Sequence, residues 1–155
     1  MPLEIERKFI VDTNRLSLSG SGKRYRQGYL PAAGKTSVRV RICDDAAWLT
    51  LKGETMGASR LEFEYSIPVE DAAHILESLC AGSIIDKTRH LLDHAGHTWE
   101  IDIFAGDNAG LVIAEVELQS EDEAVELPEW AVEEVTRDSR YYNANLVTNP
   151  YCNWN

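Results

Sequence analysis

LEIERKF, residues 3 to 9, alternates in a period of two that predicts a β-strand. Because alternate side chains of a strand point to opposite sides, Glu4, Glu6 and Lys8 share one face. Arg7 points the other way although it is adjacent to a second cation. One such strand is typical of a half-buried sheet with a solvated face. The charged face indicates a function only if further strands carry the same pattern.

The overall composition predicts a single soluble domain of the cytoplasm. The 155 residues suffice for a core without disulfides or a structural metal. The three cysteines fit neither a disulfide framework nor a zinc pattern. No run of 18 apolar residues occurs, and acidic residues stand where a secretory leader would be cationic. The net charge of −11 argues against nucleic acid and anionic membranes as partners.

The alternating pattern recurs along the chain. Seven further strands are predicted over residues 25–30, 37–42, 48–52, 60–67, 86–92, 98–104 and 113–119. Helical spacing with acids in the first turn predicts a helix over residues 69–80. Two more helices are predicted, one from Pro128 through residue 135 and one over 141–147. The chain is therefore expected to be mainly β, with three or four helices.

One face of these strands carries almost only charges. Its seven cations are Lys8, Arg39, Arg41, Lys52, Arg60, Lys87 and Arg89. Its eight acids are Glu4, Glu6, Glu62, Glu64, Glu100, Asp102, Glu115 and Glu117. If eight antiparallel strands close into a barrel, this face points inward and the apolar face packs under the helices. Divalent cations and a polyanion would then fill the lumen, because carboxylates suit Mg²⁺ or Mn²⁺ and Arg and Lys suit phosphate.

The charges favour a triphosphate. The lumen sums to −1, and two divalent ions would bring it to roughly +3, the count of two being taken from phosphoryl chemistry. A triphosphate would then be held near neutrality, whereas a monophosphate would leave cations unpaired.

The ordered motifs resemble the triphosphate tunnel metalloenzymes, the CYTH superfamily. They are Glu4-x-Glu6-x-Lys8, Arg39-x-Arg41, Thr50-Leu51-Lys52, Arg60-x-Glu62-Phe63-Glu64, Lys87-Thr88-Arg89, Glu100-x-Asp102 and Glu115-x-Glu117. The likeness runs from Glu4 to about Leu146, with QGYL at 27–30 and RYYNANL at 140–146. It implies one domain over residues 1–147, a tail over 148–155, and a closed eight-stranded antiparallel tunnel that acts on triphosphates with Mg²⁺ or Mn²⁺. It is nearest to the short bacterial members that cleave inorganic tripolyphosphate.

The resemblance also implies roles for the charged residues. Glu4, Glu6, Glu115 and Glu117, with Asp102 nearby, would hold the metals, and the seven cations would grip the phosphates. Glu62, Glu64 and Glu100 would either join the metal ligands or orient the basic residues. The candidate catalytic residues are Tyr29, as proton acceptor, together with Lys8 and Lys52.

Three functions are left open by the sequence. The first is a metal-dependent inorganic triphosphatase that releases pyrophosphate and phosphate. The second is a class IV adenylate cyclase or an organic triphosphatase acting on a thiamine or nucleoside triphosphate. The third is a polyphosphate-binding module without turnover, against which the full set of acids argues. The partner in each case is a small triphosphate, and a homodimer is compatible with the sequence.

Overall fold

The computed structural model describes residues 3–154 of the chain, and the predicted strands form within it. The eight are β1 (Leu3–Val11), β2 (Lys23–Leu30), β3 (Ser37–Cys43), β4 (Ala46–Lys52), β5 (Ser59–Ile67), β6 (Ala81–His94), β7 (His97–Phe104) and β8 (Val112–Glu117). Each spans its predicted segment apart from the last two residues of 113–119, and most extend beyond it. Period two therefore identified every strand whose two faces differ in polarity.

The eight strands close into an antiparallel barrel. Hydrogen-bonded neighbours follow the order β5, β4, β3, β2, β6, β7, β8 and β1, and pairing of β1 with β5 completes the ring. The closing seam is short, because β1 pairs with β5 only over Leu3–Ile5. The predicted closed barrel is thus confirmed.

A ninth strand covers the rest of that edge of β1. β9 (Ala131–Glu134) pairs with β1 over Phe9–Val11, and the amide of Val135 donates to the carbonyl of Lys8 at 2.8 Å. The helix predicted from Pro128 is therefore wrong. Where β5 leaves β1, the backbone groups of β1 need new partners, and this segment supplies them in extended form.

Apolar clusters lie on the outer face of the barrel. Helix α1 (Val69–Ser78) packs through Ala72 and Leu76 against Val40 and Ala47 of β3 and β4. A second cluster on β1, β7 and β8 is built around Trp99, which is fully buried. The predicted helix over 69–80 is confirmed with an end two residues earlier.

The C-terminal segment packs against the barrel. The helix predicted over 141–147 is broken into a 3₁₀ turn, Ser139–Tyr141, and the short helix α2 (Asn143–Leu146). Leu146 is fully buried in a cluster with Tyr29 and Ile85. The tail continues this packing, since the rings of Trp154 and Tyr141 lie 5.0 Å apart. None of the helices described between residues 3 and 154 is long and apolar enough to span a bilayer.

Candidate functional site

The barrel encloses a charged cavity of about 210 Å³. It brings together the seven predicted cations and seven of the eight predicted acids: Lys8, Arg39, Arg41, Lys52, Arg60, Lys87, Arg89, Glu4, Glu6, Glu62, Glu64, Glu100, Glu115 and Glu117. The eighth acid, Asp102, is fully buried against Lys87 and Arg89. Tyr29 also lines the cavity, and its hydroxyl lies 3.4 Å from the amide nitrogen of Gln27.

Asp102 joins two cations of β6 into one buried cluster. Its Oδ1 and Oδ2 accept from Arg89 Nε at 2.7 Å and Nη2 at 2.9 Å, and Oδ2 also accepts from Lys87 Nζ at 2.6 Å. Burial opposes ionisation, but Lys87 and Arg89 outweigh it and lower the pKa of Asp102 to about 2. Burial in turn lowers the pKa of Lys87 to about 7 despite this partner. Arg89 also bonds Glu100 at 2.8 Å.

A second group of ion pairs spans the seam between β1, β4 and β5. Lys52 Nζ lies 2.9 Å from Glu4 and 3.3 Å from Glu62, and Arg60 lies 3.7 Å from Glu4. The pKa of Glu62 is raised by its partial burial and by Glu4 beside it. One ammonium therefore bridges two acids from strands on either side of the seam.

On β3, Arg39 is held by a neutral hydroxyl and an acid. Its Nη2 donates to Thr50 Oγ1 at 3.2 Å, and Thr50 donates onward to Glu64 at 3.0 Å. Arg39 also lies 3.5 Å from Glu64. Its Nε is buried without a hydrogen-bond partner within the described chain.

Two cations stand apart from this pairing. Within residues 3–154, neither Lys8 nor Arg41 has a carboxylate oxygen within 4 Å of its nitrogens. Lys8 Nζ donates to the carbonyl of Tyr141 at 3.3 Å, and Arg41 Nε donates to the side-chain oxygen of Gln27 at 2.7 Å. Burial, followed by Arg39 and Arg89, lowers the pKa of Arg41 to about 10.

Acids outnumber cations on the inward face of β1 and β8. The register sets Glu6 opposite Glu117 and Lys8 opposite Glu115. Burial raises the pKa of Glu6 well above its ordinary value, and Glu115 and Glu4 raise it further. For Glu115, Lys8 and Arg89 outweigh burial and lower the pKa well below the ordinary value.

These acids have the donor chemistry of a hard divalent cation. All are carboxylates. Burial raises the pKa of Glu6, and the neighbouring acids Glu115 and Glu4 raise it further by a repulsion that such a cation would relieve. Between residues 3 and 154, no three His, Cys, Asp or Glu side chains already converge as a metal-binding group. By donor type the residues therefore fit Mg²⁺ or Mn²⁺.

Comparison of the sequence with protein-family models identifies the family of the chain. The model of the CYTH domain matches residues 2–151 of the chain. The chain belongs to the CYTH family. This confirms the resemblance inferred from the ordered motifs.

CYTH relatives of known name cover almost the whole chain. A protein of Acetivibrio thermocellus named inorganic triphosphatase is 49% identical over 154 residues, which are 99% of this chain and 99% of the relative. A protein of Nitrosomonas europaea with the same name is 39% identical and covers 93% of this chain and 96% of its own. The crystal structure of the inorganic triphosphatase NE1496 matches with a TM-score of 0.66 at 35% identity, covering 93% of both chains.

Four residues to which the sequence gave no role lie in or beside the cavity. Gln27 is fully buried, while Asn143, Tyr142 and Thr136 reach the cavity from the C-terminal segment. Gln27 has the same strand parity as Tyr29, which is a signal that could have placed it inside. The other three offered no such signal, because they follow a segment whose predicted helix is in fact a strand.

Proposed function

We propose that this CYTH protein hydrolyses inorganic triphosphate to pyrophosphate and phosphate with a divalent cation inside its barrel. The observation that carries the proposal is the cavity, in which two thirds of the 21 lining residues are charged and both signs are present. Two relatives named inorganic triphosphatase, at 49% and 39% identity, support the same reaction.

The cations would bind the phosphate chain in two ways. Lys8 and Arg41 have hydrogen-bond donors that no acid of the described chain occupies, so a phosphate oxygen can bind them directly. Arg39, Lys52 and Arg60 already contact acids, so a phosphate oxygen would exchange with a carboxylate. Lys87 and Arg89 keep Asp102 and complete the positive wall.

The acids would divide into two groups. Glu6, Glu115 and Glu117 would hold divalent cations, one or two in number, with Glu4 joining them if Lys52 moves to a phosphate. When bound, such a cation neutralises charge on phosphate oxygens and activates water. The basic residues would be oriented by the remaining four acids, each of which lies within 4 Å of one of them: Glu62, Glu64, Glu100 and Asp102.

Catalysis by the chain itself would consist of positioning and electrostatic stabilisation. Lys8 and Lys52 would face the charge that develops on the phosphoryl group, because preorganised donors are most effective where charge appears in the transition state. Tyr29, whose hydroxyl faces the cavity beside Gln27, is the candidate proton acceptor.

Phosphate release tests the proposal directly. We expect tripolyphosphate to be hydrolysed at least about tenfold faster than ATP, thiamine triphosphate or pyrophosphate with Mg²⁺ or Mn²⁺, because a bare phosphate chain needs no room for an organic group. Omission of the metal should abolish the activity. Equal or faster turnover of ATP, or cyclic AMP as a product, would favour an organic triphosphatase or a cyclase instead.

A further inference from the structure

Two neutral amides connect the cations of the cavity to the C-terminal segment. Gln27 Oε1 accepts from Arg41 Nε at 2.7 Å, and Gln27 Nε2 donates to Asn143 Oδ1 at 3.1 Å. The same Asn143 oxygen accepts from Lys87 Nζ at 3.1 Å. We call Gln27 and Asn143 the amide bridge.

The orientation of the Gln27 amide follows from its neighbours. Its oxygen faces Arg41, which can only donate, and its nitrogen faces the oxygens of Asn143 and Tyr29. Gln27 is also fully buried, so water does not substitute for these partners. A buried amide with both ends bonded has one favourable orientation and fixes the groups that it touches.

The neutrality of the bridge distinguishes Arg41 from the other arginines of the cavity. Arg39, Arg60 and Arg89 each lie within 4 Å of a carboxylate, which cancels much of their charge. An amide oxygen fixes the guanidinium of Arg41 through a hydrogen bond but adds no negative charge. The full charge of Arg41 is therefore kept for an anionic ligand.

Asn143 gives the bridge its second function. It begins α2 in the C-terminal segment, and its side-chain oxygen accepts from both Lys87 on β6 and Gln27 on β2. One oxygen atom thus sets the distance between donors on two strands. Docking of the C-terminal segment and placement of these donors are consequently coupled.

We propose that the amide bridge is a positioning device, which holds Arg41 and Lys87 for the triphosphate and leaves the charge of Arg41 uncancelled. This inference rests on the proposed function, since it assigns those cations to phosphate.

Isosteric substitutions separate positioning from packing. Gln27→Glu keeps the volume and the acceptor for Arg41, replaces the donor to Asn143 by an acceptor, and adds a charge that pairs with Arg41. We therefore expect both the Kd and the KM for tripolyphosphate to rise about tenfold. Gln27→Met keeps the volume without hydrogen bonds and should lower kcat/KM about tenfold. A merely structural role predicts a KM close to that of the wild type for Gln27→Glu.

The short helix offers a matched control for Asn143. Asn145 lies two residues later, is exposed, and donates to the carbonyl of Ser139 at 2.7 Å. Replacement of either residue by alanine removes hydrogen bonds of one side chain in α2. Asn143→Ala should lower kcat/KM about tenfold, whereas Asn145→Ala should stay within about twofold of the wild type.

Binding of tripolyphosphate without metal is measured by calorimetry, and hydrolysis is measured separately with Mg²⁺. Together the two measurements distinguish failure of the inference from failure of the proposed function. Wild-type affinity and turnover in Gln27→Glu would overturn the inference, and so would equal effects of Asn143→Ala and Asn145→Ala if Gln27→Glu fails to fold. A wild-type protein that binds tripolyphosphate without hydrolysing it would refute the proposed function, while the change in Kd would still decide the inference. Absence of binding would refute both.

Discussion

Two adjacent walls of one cavity differ in how their charges are paired. On β6 and β7, Lys87, Arg89 and Asp102 form a paired cluster in which the carboxylate makes three short bonds. On β1 and β8, the open face of Glu6, Lys8 and Glu117 has no ion pair within 4 Å among residues 3–154. The charges of the paired cluster already have partners of opposite sign within the protein. The charges of the open face would find such partners only in a bound ligand. Loss of a charge from the paired cluster should therefore affect folding most, and loss of a charge from the open face should affect binding most.

The largest expected effect is on folding. Asp102→Ala leaves two buried cations without their carboxylate, so we expect a loss of about 3 to 5 kcal/mol in the free energy of unfolding, measured in urea. Asp86 is a matched control on the outer face of the neighbouring strand β6, since it accepts two hydrogen bonds from Arg24 at 2.9 and 2.6 Å. Asp86→Ala should cost only a small fraction of that loss, because this pair is exposed to water. Similar losses would remove the distinction between the two walls.

The next effect concerns catalysis. Arg41→Ala removes a cation without a carboxylate partner, so kcat/KM for tripolyphosphate should fall by about 2 to 4 kcal/mol if the contact tightens in the transition state. Added Mg²⁺ or Mn²⁺ should not restore it, because no metal ligand is lost. Arg26 lies one residue before Gln27 on the exposed side of β2, and Arg26→Ala should keep the wild-type kcat/KM. Rescue of Arg41→Ala by metal would contradict its assignment to phosphate.

A smaller effect is expected for the open face, where a substitution should raise the stability of the metal-free protein instead of lowering it. Glu6→Gln keeps the shape of the side chain and removes the burial cost and the repulsion from Glu115 and Glu4 that raise its pKa, so the metal-free protein should be more stable than the wild type. The variant should need more Mg²⁺ or Mn²⁺ for half-maximal activity and recover in part at high concentration. Thermal melting without metal and a metal titration of the rate measure the two effects. A loss of stability, or an unchanged metal requirement, would show that Glu6 has another role.

The features of the fold that could be predicted from the sequence are those determined by residues close together in the chain. Arg89 and Asp102 fall opposite each other because the turn at Ala95–Gly96 sets the register of β6 and β7, so a hairpin model could have paired them. The contact between Lys52 and Glu4 crosses the closing seam, 48 residues apart, and no local rule gives that register. Barrel closure thus followed from the repeated charged face, while the ion pairs across the seam did not follow from any local pattern.

The C-terminal third was harder to predict for a related reason. Ala131–Glu134 becomes a strand because part of the edge of β1 is left by β5, a condition that only the assembled barrel creates. Once this segment is a strand, the chain after it returns across the barrel and brings Asn143 to Gln27, 116 residues away in sequence. Intrinsic propensity does not contain that information, because it describes each segment alone.

The smallest expected effect, the loss of stability in Arg7→Ala, tests the register of β1. The comparison of the two walls depends on that register. Arg7 and Lys8 are adjacent, yet Lys8 is 6% exposed and lines the cavity, whereas Arg7 lies outside and binds Glu134 of β9 at 2.7 and 3.0 Å. Arg7→Ala should cost about 0.2 to 1 kcal/mol of stability, the usual range for a partly exposed ion pair, and leave kcat/KM unchanged. Lys8→Ala should abolish hydrolysis while the protein still folds. Because a shift of one residue would turn every side chain of β1 to the other face, sensitivity of the activity to Arg7 instead of Lys8 would invert the assignment of the open face.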